Sequence, residues 1–212
     1  MDTESISKIL IVVHAATGGL ALLAGLLALI FKKGSTKHKR TGIIFYYSML
    51  LSAVIALFVA CMPNHESVFL FLIGLFSSYF ILTGYRAVRF KLANPNLKID
   101  KIIAYGMLIT ALGMILYPII ILGKLNIVLG VFGLVGGAFA INDLRKFKDL
   151  VALKKNWIKM HLGKMLGGYI SATTAFVVVN NVFPSFYGWF IPGVIGTFYI
   201  VYWQRKVSPK KA

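Results

Sequence analysis

Four histidines are the residues of this chain best suited to chemistry: His14, His38, His65 and His161. Imidazole titrates near neutral pH, moves protons and ligates metal ions and haem iron. His14 lies inside an apolar run, where an ionisable group has to face the interior of a helix bundle and find a partner. His38 and His161 lie at the basic ends of two other runs, and Asp143, Tyr85 and Arg86 end their runs at the same depth. A carboxylate, two imidazoles and a guanidinium gathered at one level have the chemistry to bind a metal, a phosphate or a lipid headgroup. The ligand-binding candidates are therefore His14, His161, Asp143, Arg86 and Tyr85, and the metal candidates are His38, His161 and Asp143. Each also has a plainer explanation. His14 would be bonded to a nearby carbonyl or hydroxyl, and His38 solvated among lysines. Asp143 would pair weakly with Arg145 or Lys146, and Arg86 would reach for headgroups.

His65 sits in "MPNHES", so the histidines alternate between two levels along the chain. A membrane cytochrome with two b-type haems needs two such pairs, although His38 and His65 then lie at or beyond the interface. Cys61 is the only cysteine, which excludes an intrachain disulfide and a cysteine metal cluster. No H-E-x-x-H, G-x-S-x-G, P-loop or C-x-x-C-H pattern is present. No Asp or Glu is expected in mid-membrane, which argues against a proton-coupled pump.

The elements that must position these residues follow from composition. The 212 residues are 58% hydrophobic and 14% charged, where soluble domains carry roughly a quarter charged residues. A net charge of +17 would suggest nucleic acid in a soluble chain, but the apolar background excludes that partner. Apolar segments near 9–31, 43–62, 67–85, 102–123, 125–142, 162–183 and 185–203 each approach the ~20 residues a helix needs to span a bilayer. The expectation is an all-α, seven-helix transmembrane domain over the whole chain. The acidic start "MDTESISK" and the length of the first apolar run argue against a cleaved signal peptide.

Of the 23 Lys and Arg, all but Lys8 and Lys124 fall in alternate connections or at the C-terminus. Cations are retained on the cytoplasmic side of short loops, so the N-terminus is expected outside and the C-terminus inside. The run Lys32, Lys33, Lys37, Lys39 and Arg40 then reads as an orientation signal facing anionic lipid headgroups. Trp157, Trp189 and Trp203 fall at span ends, where amphipathic rings favour the interface. Gly133/Gly137, Gly163/Gly167 and the relaxed pair Ala15/Gly19 have the spacing that lets helix backbones approach. Residues 143–160 alternate apolar positions with lysines and are expected to lie as an amphipathic helix on the inner surface. "GLFSSYFILTGYRAV" (74–88) also aligns with "GVIGTFYIVYWQRKV" (193–207), suggesting a 3+1+3 parallel repeat.

His14 before a Gly/Ala/Leu-rich helix, Lys33-Gly34 with His38, Arg40 and Gly42, Met49, "GYR" at 84–86, and His161 with Met165 and "TAF" at 174–176 form a pattern. It resembles a family of small bacterial multi-pass membrane proteins catalogued only as a domain of unknown function. The resemblance implies a bacterial cytoplasmic membrane and a shared role for His14, His38 and His161, but no activity. Here Lys39 separates His38 from Arg40, where the family pattern has Arg directly after the loop His. Three functional readings stand side by side. The first is binding or transport of a small or lipid-like ligand between helices. The others are a haem- or metal-bearing redox protein and a metal-dependent intramembrane hydrolase.

Overall fold

The computed structural model describes residues 2–207, so Lys210 and Lys211 of the C-terminal basic group lie outside it. It contains seven α-helices: α1 (Thr3–Ile30), α2 (Thr36–Val59), α3 (Val68–Arg86), α4 (Lys98–Leu122), α5 (Ile127–Lys146), α6 (Leu150–Val179) and α7 (Ile191–Lys206). Short 3₁₀ turns follow α3 at Ala87–Lys91 and precede α7 at Ser185–Trp189. There is no strand among the described residues. Helices α1 to α6 are long and apolar enough to cross a membrane. Large apolar side chains such as Val12, Leu23, Ile109, Val179 and Phe198 point outward, as a lipid-facing surface requires when every backbone polar group is satisfied inside its own helix. The chain is a helical multi-pass membrane protein.

Side chains that satisfy orphan N–H groups set the helix starts. Asp2 caps α1 through Ser5 N–H, Ser35 caps α2 through His38 N–H, and Ser67 caps α3 through Leu70 N–H. Asn126 does the same for α5, and Asp149 caps α6 through two amides, Val151 and Ala152. Helix α4 stops at Gly123, whose φ of 64° is open to a residue without Cβ.

Helices α3 and α6 form the centre. The α1–α2 hairpin packs on one side and the α4–α5 hairpin on the other, with α7 against α6. The α4–α5 side is an aromatic and methionine core of Phe76, Tyr79, Phe80, Met107 and Met114. The α1–α2 side buries Ala21, Ala24, Phe45, Tyr46 and Met49 with Ile81 and Ala172. In lipid such contacts are held by close packing, since apolar groups gain little by leaving hydrocarbon.

The two ends of the bundle differ. At one, the segment after α3 and the α5–α6 turn pack together through Ala87, Phe90, Phe147 and Leu153; this is the basic end. At the other, His65 of the α2–α3 connection meets Glu4 of α1 at 3.4 Å. Trp189 there stands edge-on to Phe69 and Phe132.

Three expectations need correction. The segment 143–160 is not a separate surface helix: α5 runs on to Lys146, α6 starts at Leu150, and residues 150–160 are the opening turns of that 30-residue helix. The Asp149 cap and the burial of Leu153 and Met160 against the end of α3 explain why the helix starts early. The 3+1+3 repeat does not hold, because α1 lies along α2 whereas its supposed equivalent α5 lies along α4 and meets α6 at only a few positions. The aligned segments share the composition of Gly-rich apolar helices and not a packing arrangement. Of the small-residue pairs, Gly133 approaches the Ala111 carbonyl and Gly163 approaches Gln204, but Gly19 faces open space and Gly18 takes the contact, with Ser52.

The tightest helix approach is at Gly84, where an added Cβ would lie 2.9 Å from the Met165 backbone nitrogen and 3.1 Å from the Lys164 carbonyl carbon. Backbone cannot swing aside as a flexible side chain can. Gly84→Ala is expected to cost about 1–3 kcal/mol by forcing α3 from α6. Gly106→Ala, into open space, is expected to be neutral or to stabilise by up to ~1 kcal/mol. Thermal unfolding of the two variants in detergent checks this; equal midpoints would refute it.

Candidate ligand cavity at the basic end

Lys33 and Gly34, with a φ of 81° at the glycine, turn the chain between α1 and α2. The turn places His38 in the first residues of α2, where its backbone N–H is capped by Ser35. His161 lies on α6 where that helix passes Gly84. The two imidazoles line one cavity of about 580 Å³ between α1, α2, α6 and α7. Phe45, Met165 and Tyr169 supply apolar wall, and Lys33, Arg89 and Lys91 supply cations. Trp203 and Trp157 also line it, with the Lys33 ammonium 5.0 Å from the Trp203 ring centre and the Lys91 ammonium 5.6 Å from that of Trp157. Lys33 donates to the Ala28 and Leu29 carbonyls at the end of α1. Partial burial holds its ammonium below the usual lysine range.

Each imidazole is anchored on one side. His38 Nδ1 lies 3.0 Å from the Ala28 carbonyl oxygen, and His161 Nδ1 lies 2.9 Å from that of Gly84. Carbonyl oxygen only accepts, so in both rings Nδ1 carries the proton and donates it. The uncommitted nitrogen is Nε2, with its lone pair when the ring is neutral. His38 is thereby tied to α1 and His161 to α3.

The sequence candidates divide accordingly. His38, His161 and Tyr85 line the cavity, and Tyr85 is stacked on Tyr46 with ring centres 3.9 Å apart. His14, Asp143 and Arg86 do not line it. His14 Nδ1 donates to the Ser52 carbonyl at 2.9 Å while the Ser52 hydroxyl donates back to the His14 carbonyl at 3.0 Å, a polar tie between α1 and α2. Arg86 is committed to Asp100, its Nε and one terminal nitrogen donating to the two carboxylate oxygens at 2.8 and 2.7 Å.

Asp143 is committed as well, in a cluster of residues missed at the level of sequence. Lys164 and the Tyr79 hydroxyl both donate to Asp143 Oδ2, each at 2.5 Å, and Lys164 also donates to the Tyr79 oxygen. Asp143 is 2% exposed and Lys164 3%. The expected metal set of His38, His161 and Asp143 therefore does not assemble, because a lysine from the same helix as His161 claims the carboxylate. Among the described residues no three His, Cys, Asp or Glu side chains gather to hold a metal ion. Asp100, 1% exposed, is a second buried carboxylate that sequence reasoning left in a loop.

A shallow hollow beside Thr197 and Tyr202 is lined by α7 alone, so it brings no residues from different elements together. The fold and the site together define a multi-pass helical membrane protein with a histidine-bearing, partly cationic cavity at its basic end. No family model, curated protein or solved structure matches the chain.

Proposed function

We propose that the chain binds an amphipathic, acidic ligand in the cavity between α1, α2, α6 and α7, with the apolar body inside and the acidic end at the cations. The observation that carries this is one cavity combining an apolar wall, two anchored imidazoles and the cations Lys33, Arg89 and Lys91. Ligand sites have this make-up: mostly apolar lining, a few placed polar groups and a volume of roughly 300–1,000 Å³.

In the same reading the chain crosses a bacterial cytoplasmic membrane seven times with the basic end inside, where cations meet anionic lipid. The 16 residues of α7 reach only about 24 Å at 1.5 Å per residue. Even so, the turn before α7 packs at the Trp189 end while Trp203 lines the cavity at the basic end, which supports a full crossing. Reporter fusions at Ser35 and Asn94 are expected to report cytoplasm and one at Asn64 the outside; a cytoplasmic signal at Asn64 would refute the orientation.

A brominated fatty acid tests the binding. In lipid nanodiscs it is expected to quench Trp157 and Trp203 saturably, because both rings line the cavity, and Ala28→Phe, which fills the wall, is expected to abolish the saturable phase. Saturable quenching that survives in a Trp157→Phe, Trp203→Phe variant would place the ligand elsewhere.

A further inference from the structure

We propose that the occupant of this cavity is an iron porphyrin, with Nε2 of His38 and Nε2 of His161 as its two axial ligands. This rests on the cavity being a ligand site and names the ligand class. The argument begins with the protons. Each Nδ1 faces a backbone carbonyl oxygen, Ala28 for His38 and Gly84 for His161, so each neutral ring presents a lone pair at Nε2. Two lone pairs suit a carboxylate or phosphate poorly, since those anions also bring only lone pairs. They suit a metal centre. Donation of Nδ1–H to a carbonyl is also the arrangement that holds a metal-ligating histidine in one tautomer and orientation.

Ligand number narrows the metal. A bare zinc ion takes three or four protein ligands, and among the described residues no third His, Cys, Asp or Glu joins these two. A porphyrin brings four nitrogens of its own and requires only the two axial positions. The rest of the cavity fits such a molecule. Phe45, Met165 and Tyr169 are apolar or aromatic surface for a flat macrocycle, and Lys33, Arg89 and Lys91 are cations for its acidic side chains. Trp203 also lines the cavity, beside the Lys33 ammonium. The anchoring is shared by four helices: α1 holds the ring carried by α2, and α3 holds the ring carried by α6. Ligands carried on separately braced helices would hold a macrocycle between them.

The test is titration of the purified full-length chain in detergent with ferric protoporphyrin IX, followed by visible and electron paramagnetic resonance spectra. Wild type is expected to bind one equivalent with low-spin, six-coordinate signals and sharp bands on reduction. His65→Ala and His14→Ala are expected to keep those signals. His38→Gly and His161→Gly are expected to lose them and to regain them when free imidazole is added, which a merely unfolded variant does not do. No saturable binding by wild type, or low-spin signals unchanged in both glycine variants, would overturn the proposal. So would stoichiometric Cu(I) binding that needs the same two histidines while haem does not bind. The brominated fatty acid separates the two levels of inference: if it occupies the cavity and haem does not, the porphyrin assignment fails alone. If neither binds, the cavity reading fails with it.

Discussion

Lys164→Met is expected to be among the most damaging single substitutions in the protein, lowering stability by about 3–5 kcal/mol. Among the described residues the ammonium is the only cation bonded to Asp143, whose Oδ2 accepts from Lys164 and Tyr79 at 2.5 Å each. Removing it leaves a carboxylate buried in an apolar bundle with one hydroxyl for company. The cluster also ties three helices, Tyr79 on α3, Asp143 on α5 and Lys164 on α6, at a place where α5 and α6 otherwise barely touch. The double variant Lys164→Met, Asp143→Leu is expected to recover most of the loss, because an apolar pair of similar volume costs far less than one stranded charge. Unfolding in detergent, by heat or denaturant, measures both. If single and double variants lose the same stability, the ion pair is not what holds these helices.

The second large effect is expected at Arg86. Its fork makes two parallel bonds to Asp100, which is 1% exposed in the first turn of α4. The pair closes the connection from α3 to α4. Arg86→Ala strands the carboxylate and is expected to cost about 3–5 kcal/mol. Arg86→Lys keeps the charge and loses the two-pronged geometry, for a loss of about 1.5–3 kcal/mol. Ligand binding in the cavity is expected to survive Arg86→Lys, since Arg86 does not line it. Loss of binding with unchanged stability would restore Arg86 as a ligand residue.

The division between what was legible and what was not follows sequence distance. An apolar run long enough to span a bilayer is a local property, so α1 to α5 fall close to the expected segments, whereas α6 starts at Leu150, well before the expected 162. That His38 and His161 lie at one level was also legible, because both lie at basic ends of apolar runs and membrane crossings bring such ends together; that they line one cavity was expected only through the repeat, which does not hold. The partners of Asp143 and Arg86 were not legible. They sit 21 and 14 positions away in sequence and depend on which helices neighbour which, information that apolar composition does not carry. Lys164 was hidden among the lysines at 154, 155 and 159 and counted as one more cation of a cytoplasmic connection. A signal was present, however. With only 6 Asp and Glu against 23 Lys and Arg, any carboxylate in an apolar context attracts a cation, and Asp100 and Asp143 each bury one ion pair. The repeat misled for the converse reason, since Gly-rich apolar helices resemble one another whether or not they pack alike.

The cavity itself is the central claim, and native mass spectrometry of the full chain released from nanodiscs tests it most directly. Wild type is expected to carry the added mass of one bound molecule, and Ala28→Phe, with the cavity wall filled, to travel without it. The same added mass on both proteins, or none on wild type after saturation with either probe ligand, would contradict the account.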